Sequence, residues 1–543
     1  MKKFKLQNLL LTQKGFMEIY ENYILLAFLS GFSFFSFFLS LSYGKLTAYA
    51  DTQSRLDLAR KVIDNLHPGF AQFGNVWLPL PQMLMVPFIW NDFLWHSGVA
   101  GSLMSMPAFI IGGFYIFKTA KLLTKSSLAS FLGTSIYALN INMLYLQTTA
   151  MSESLFLCLL AAAIYYFVRW TSVKETNFYI IPAALAVSAM TYTRYEGLSM
   201  LLASIPMVFV MSLIMKRKYA IAESETILYS TLAITGFLAW SIYLWAIFGD
   251  PLYWVHFYAG AKVVTTSANH TVQIYSQHKS FLAAGWEYFT AFSWMAGLIP
   301  TIFCGLGLIV MLVKSVINKT LYFIPLLLPL SIFLFMALTL QRNTSIVQPD
   351  LTFQNILSPK TSYMTGFNIR YGILLLPWVA VICSYVFSFR YKIINLIVFS
   401  VFFIQIFTYL FPNYTAIYQI TYQKYTTKYY PFLVQWMKTH YTGGEILMSS
   451  YSHEDQMFQM GFNYRTFIHE GAGKYWKESI DNPSRYAMYV IIDAGHPDDK
   501  LQPYFVKNPH RQGILDRDYD LAFDDRFENV KIYKKKTKPY FQI

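Results

Sequence analysis

Residues 23–41 read YILLAFLSGFSFFSFFLSL, an unbroken apolar run without one charged side chain. An α-helix rises about 1.5 Å per residue and the hydrocarbon core of a bilayer is about 30 Å thick, so roughly 20 such residues cross it. The run meets that requirement. Lys2, Lys3, Lys5 and Lys14 precede it. Its length and the lack of a small-residue cleavage site make it a retained anchor and not a cleaved signal peptide.

Working outward, the same test finds about eleven spans along the chain. After residues 23–41 they fall at 93–117, 128–146, 154–170, 178–192, 197–215, 227–248, 289–313, 321–340, 371–389 and 393–411. Composition agrees. Of 543 residues, 55% are hydrophobic and only 13% charged, against about a quarter charged in ordinary soluble domains. The fold class expected is therefore a polytopic α-helical membrane protein.

The net charge of +14 does not form a nucleic-acid stripe. Its lysines and arginines sit in alternate short loops: Lys118, Lys121 and Lys125; Arg169 and Lys174; Lys216, Arg217 and Lys218; Lys314 and Lys319; Arg390 and Lys392. Together with the basic N-terminus they share one side of the proposed topology, which the positive-inside rule makes cytoplasmic. Residues 45–92, 142–153, 193–196, 249–287, 341–370 and everything after Pro412 then face outward. Cys158, Cys304 and Cys383 each lie in an apolar segment and read as small hydrophobes.

From about Tyr430 to Ile543 charged residues become frequent and apolar runs shorten. Strand-like pieces at 445–448, 488–492 and 530–533 alternate with helical ones, including 431–441, the pattern of a small α/β domain. Residues 1–411 form the membrane domain in this reading, and 412–543 an extracytoplasmic domain.

The first outer loop, from Ala50 to Gly69, carries Leu56, Ala59, Ile63 and Leu66 at helical spacing and ends at Pro68-Gly69. That pattern predicts an amphipathic helix parallel to the membrane. Asp51 opens it. It is either an N-cap or a general base at the edge of an outward cavity, and capping would fix the carboxylate for that role. Asp57 and Lys61 are spaced as a surface i,i+4 ion pair. Downstream, residues 74–82 (GNVWLPLPQ) read as a rigid turn with an interfacial Trp77.

Other ionisable residues mark the outer helix ends. Glu153, the sole charge of its loop, begins the fourth span; it either complements the helix dipole or is functional, as intramembrane acids commonly are. Arg194 and Glu196 lie in the tight turn Thr193-Arg194-Tyr195-Glu196-Gly197. They form an internal ion pair, or Arg194 grips an anion with its planar fork. Arg370 stands at another outer helix end, where a lone arginine snorkels by default. His256, His270 and His278, with the clusters His453-Glu454-Asp455 and His496-Pro497-Asp498-Asp499, match no compact ligand motif and read as solvated. The triplet Asn269-His270-Thr271 reads as a chance match to a glycosylation acceptor.

The order of these features resembles the GT-C membrane glycosyltransferases that use polyprenyl-phosphate sugars, especially the protein O-mannosyltransferase and aminoarabinose transferase-like group. The likeness rests on Asp51 opening the first loop, Glu153 before the fourth span, the turn at 193–197 and Arg370-Tyr371, across roughly the first 400 residues. It implies an inverting transfer to an acceptor hydroxyl of a protein, lipid or glycan. Asp51 and Glu153 would be catalytic, and Arg55, Arg194, Glu196 and Arg370 would bind substrate. Many relatives pair two acids in the first loop, whereas Thr52 follows Asp51 here. The departure favours a single-acid mechanism and leaves a divalent metal an open expectation. Thr193-Arg194-Tyr195 also differs from the Lys-Gly of some relatives, so the donor stays open. The rival readings are a transporter or flippase of lipid-linked glycans and a noncatalytic envelope-assembly protein. A transporter keeps ionisable groups near the midplane of repeated halves, and no repeat is visible.

Overall fold

The structure, a computed structural model, describes residues 2–74, 76–172, 178–216, 218–260, 280–318, 323–342, 369–388, 431–450, 453–494, 499–525 and 529–536. The chain divides into two compact units. One contains Met1–Lys45, Ser102–Tyr243 and His278–Tyr422; the other contains Leu46–Gly101, Leu244–Gln277 and Gln423–Ile543.

Among the described residues, seven helices are long and apolar enough to cross a membrane, or eight if one bent pair is a single span. They are Ile19–Ser42, Val99–Thr124, Glu153–Ser172, Gly197–Met215, Leu298–Ile317, Ile324–Gln341 and Ile369–Phe387. The bent pair, Tyr219–Ala233 and Thr235–Phe248, turns by 41°. These are the helices of an integral membrane protein.

Several expected spans are interrupted, each for a local reason. The run 128–146 divides into Ser127–Ala138 and Ile141–Leu146 because the Asn140 side chain caps the second helix, accepting from the Met143 amide. The run 289–313 divides at Gly297, whose φ of 98° ends Phe281–Ala296 before Leu298–Asn318 begins. The run 178–192 is the twelve-residue helix Ile180–Thr191, short for a crossing. The expected span 393–411 lies outside the described residues.

Within the first unit, Glu153–Ser172 and Ile369–Phe387 are the most enclosed of the apolar helices. They are apolar on nearly every face, the composition expected of central helices. Glu153 starts the first, and Arg370 lies in the 3₁₀ turn Ile369–Leu375 that starts the second. Close packing requires Gly372 in that turn: a Cβ there would meet the Ala291 carbonyl oxygen at 2.3 Å.

The second unit is built on a five-stranded sheet of order β2-β1-β3-β5-β4. Its strands are β1 (Ile446–Met448), β2 (Phe467–Ile468), β3 (Tyr489–Asp493), β4 (Tyr519–Asp525) and β5 (Val530–Lys535). β1 runs parallel to β2 and β3, while β5 pairs antiparallel with β3 and β4. The three strands expected from sequence are β1, β3 and β5. The helix expected at 431–441 is Pro431–His440. β2 has only two residues, and β4 exposes three of its apolar or acidic positions in a row, so neither carries an alternating signal.

The same unit includes the first loop. Its helix Ala50–Lys61 is not a half-exposed surface helix, since eight of its twelve residues are buried. Lys61 does not pair with Asp57; it reaches Glu454 at 2.8 Å. Asp57 is fully buried, accepting from Trp95 Nε1 at 3.0 Å and from the Tyr464 hydroxyl. Burial pushes the Asp57 carboxyl well above its usual range, against the pull of the Tyr464 hydrogen bond and Lys61. The His453-Glu454-Asp455 cluster is likewise enclosed: His453 and Asp455 are buried, and His453 Nε2 lies 3.1 Å from Asp493. Asp499 is buried too, while His496, Pro497 and Asp498 lie outside the described residues.

Candidate functional site

Four ionisable residues from three separate stretches meet inside the first unit. The turn between Ile180–Thr191 and Gly197–Lys216 is held by backbone bonds from Thr193 N and Arg194 N to the Met190 carbonyl. This compact turn leaves Arg194 and Glu196 on the same side. Arg194 then forks onto Glu196, with Nη2 donating to Oε1 at 2.7 Å and Nε donating to Oε2 at 3.2 Å. Such bidentate pairing fixes the guanidinium plane.

The remaining arm of Arg194 reaches the start of helix Glu153–Ser172. Nη1 donates to Glu153 Oε1 at 3.1 Å and to Ser152 Oγ at 3.2 Å. Arg370 Nε lies 3.3 Å from the same Glu153 oxygen. Both guanidinium groups also lie over the ring of Tyr371, at 4.8 Å for Arg194 and 5.2 Å for Arg370. The Tyr288 hydroxyl donates to the Tyr371 carbonyl and ties the 3₁₀ turn to helix Phe281–Ala296.

Glu153 is completely buried, and Glu196 and Arg370 nearly so. Two arginines and two glutamates sum to zero charge, which is what a low-dielectric interior requires of buried ions. Arg370 is therefore no snorkelling side chain. Glu153 uses one carboxylate oxygen for both arginines, and its Oε2 is buried with no hydrogen-bond partner among the described residues. For Arg194, burial acts to lower the pKa, but the Glu196 and Glu153 carboxylates outweigh it and hold the group above its ordinary value. The cluster thus presents fixed cations beside an acceptor oxygen.

Known protein families and curated proteins were both compared with this chain. None matches.

The other expected site residues belong to the second unit. Asp51 lies in the first turn of Ala50–Lys61, whose N-cap is Tyr49, so Asp51 is not the cap. An acid there still complements the amide dipoles of the helix N-terminus. One turn on, Arg55 stacks on Trp77 at 4.7 Å, giving the tryptophan read as an interfacial anchor a cationic neighbour. His256 is exposed and pairs with Asp250 at 2.6 Å. His270, His278 and the triplet at 269–271 lie outside the described residues. No group of three or more His, Cys, Asp or Glu among the described residues is arranged to hold a metal ion.

Ser152, Tyr371 and Tyr288 were not singled out from sequence. Ser152 and Tyr371 directly adjoin Glu153 and Arg370, so adjacency to an ionisable helix end was the available signal. Tyr288 sits 83 residues from its partner and gave none.

Proposed function

We propose that this chain is a membrane glycosyltransferase that moves a sugar from a polyprenyl-phosphate carrier to an extracytoplasmic acceptor hydroxyl, probing the bilayer directly for its donor. The observation that supports this most is the convergence of Arg194 and Arg370 on Glu153 at the ends of apolar helices. Arginine forks suit a phosphate leaving group, and a carboxylate between them keeps them oriented when no phosphate is bound. In this reading Asp51 is the general base, Glu153 and Glu196 hold the arginines, and Arg55 contributes to substrate binding. An acceptor hydroxyl attacks the anomeric carbon, giving up its proton to a carboxylate base, while the carbon–oxygen bond to the phosphate breaks and that centre inverts. The carrier phosphate leaves as the anion that Arg194 and Arg370 neutralise.

The test is transfer of radiolabelled sugar from a panel of polyprenyl-phosphate sugars by the purified chain in liposomes. Asp51→Asn should lower turnover about 10²–10⁴-fold, the usual contribution of a general base, with insertion and unfolding unchanged. Wild-type protein that transfers no sugar from any donor overturns the proposal.

A second reading is a flippase for lipid-linked glycans. The helix breaks at Gly297 and in the bent pair Tyr219–Ala233 and Thr235–Phe248 favour it, since transporters place binding sites at discontinuous helices. Movement of a fluorescent lipid-linked sugar between leaflets without bond cleavage would distinguish it.

A further inference from the structure

The second unit carries an apolar face that its own packing leaves uncovered. From Leu80 to Asn91 the sequence LPQMLMVPFIWN has no charged residue. Its helix, Leu80–Ile89, turns Gln82, Met85 and Ile89 inward. Met83, Leu84 and Pro87 are exposed, as are Trp90 and Phe93, each 67%, on either side of Asp92, whose carboxylate pairs with Arg60. An exposed apolar face of this kind marks an interaction surface.

The helix has ten residues and spans about 15 Å, half of the roughly 30 Å needed to cross a bilayer. It lies in the connection 43–98 between two apolar helices, close to that connection's C-terminal end. The apolar helix Val99–Thr124 begins six residues after Phe93. A tie of six residues to a helix long and apolar enough to span keeps Phe93 and the helix before it within reach of the membrane surface.

The edge of this face is charged, with Arg60 and Arg465 set against Asp64 and the exposed Asp92. Trp90 also lines a cleft of about 280 Å³ with Arg60, Ile63, Asp64, Asn463 and Arg465. Arg60 is buried and held by Asp64 at 3.0 Å and Asp92 at 2.7 Å. Arg465 is largely exposed at the rim, 3.6 Å from Asp64. An apolar face bearing a tryptophan, bordered by an exposed arginine, matches the acyl and phosphate layers of a lipid interface.

We propose that Leu80–Ile89 and the turn through Phe93 dock into the bilayer interface, with Leu84, Trp90 and Phe93 among the acyl chains and Arg465 at lipid phosphates. This fixes the second unit against the lipid surface by an apolar hairpin as well as by its covalent ties. It stands whether or not the chain transfers sugar.

The experiment exploits the three native cysteines, all of which are buried. Leu84→Cys and Phe93→Cys are each spin-labelled in the full chain and reconstituted in liposomes of phosphatidylethanolamine and phosphatidylglycerol. Leu202→Cys, on an apolar helix and 72% exposed, is the lipid reference. Lys477→Cys, exposed in the second unit, is the water reference. The expected result is high accessibility to oxygen and low accessibility to a water-soluble nickel chelate at 84 and 93, as at 202. Nickel accessibility equal to that at 477 overturns the proposal. So does low accessibility to both reagents, the signature of a protein partner such as a second copy. Charge-neutral labelling at both sites that leaves unfolding unchanged shows that the variants retain the fold being probed.

Discussion

Replacing Glu153 with Gln tests the ion cluster most directly. The carboxylate receives Arg194 at 3.1 Å and Arg370 at 3.3 Å, and its side chain is wholly buried. Two unit charges 4 Å apart attract by about 4 kcal/mol at an effective dielectric of 20. Desolvation offsets much of this in the intact cluster, but removing one partner leaves uncompensated charge behind. The substitution changes the four-residue sum from zero to +1. Such breaks cost about 3–5 kcal/mol, and the retained amide oxygen of Gln sets the expectation near the lower end, about 3 kcal/mol. Unfolding in detergent is read with a thiol-reactive dye that reports the buried cysteines, of which Cys158 lies on the same helix. Arg370→Met alone should also destabilise, and the double variant should lose less than the two single losses added, by about 1–3 kcal/mol. An E153Q midpoint equal to that of the wild type, or strictly additive losses, would refute the shared-carboxylate reasoning.

Asp57→Ala removes the acceptor of Trp95 and Tyr464 and should cost about 1–3 kcal/mol for each buried donor left unpaired; limited proteolysis of the second unit would reveal it as faster cleavage. Gly372→Ala drives a Cβ against the backbone of Ala291 and should destabilise the first unit by about 1–3 kcal/mol, in the same dye assay. Two buried histidines of the second unit contribute to its stability in opposite pH ranges. Burial would lower the His453 pKa, but Asp493, Asp499 and Asp455 raise it above 6.5, so its contribution is complete below 6.5 and disappears as pH rises through the folded value. Burial, with Lys61 nearby, holds His469 well below 6.5, so its contribution is complete above 6.5 and disappears as pH falls toward the folded value. Hydrogen exchange at β3, corrected for intrinsic rates, should accelerate at alkaline pH in the wild type and lose that acceleration in His453→Gln.

The apolar helices were legible because lipid imposes one strong requirement, about 20 apolar residues, that composition displays directly. Their breaks were harder to see. Asn140 and Gly297 act through one cap and one backbone angle inside otherwise apolar runs, and neither changes the mean hydropathy much. Glu153, Arg194, Glu196 and Arg370 stood out because charge is rare at apolar helix ends, though only tertiary packing selects which pairs form. Asp57 and Lys61 show the opposite case. Their spacing fits an exposed ion pair, yet both are buried and each bonds to a residue more than 390 positions away. No local pattern encodes such partners.

That last separation bears on how the molecule is made. Lys61 must wait for Glu454, 393 residues later in the chain. At about 5–20 residues per second, translation leaves the early loop without its partners for roughly 20–80 s. Throughout that interval Lys61 lacks Glu454 and Asp57 lacks the Tyr464 hydroxyl, whereas Arg60 already has Asp64 and Asp92, and a chain truncated before Glu454 would leave Lys61 without that carboxylate. The helix Ala50–Lys61 is therefore made well before Glu454 and Tyr464, and is among the last segments to complete its contacts.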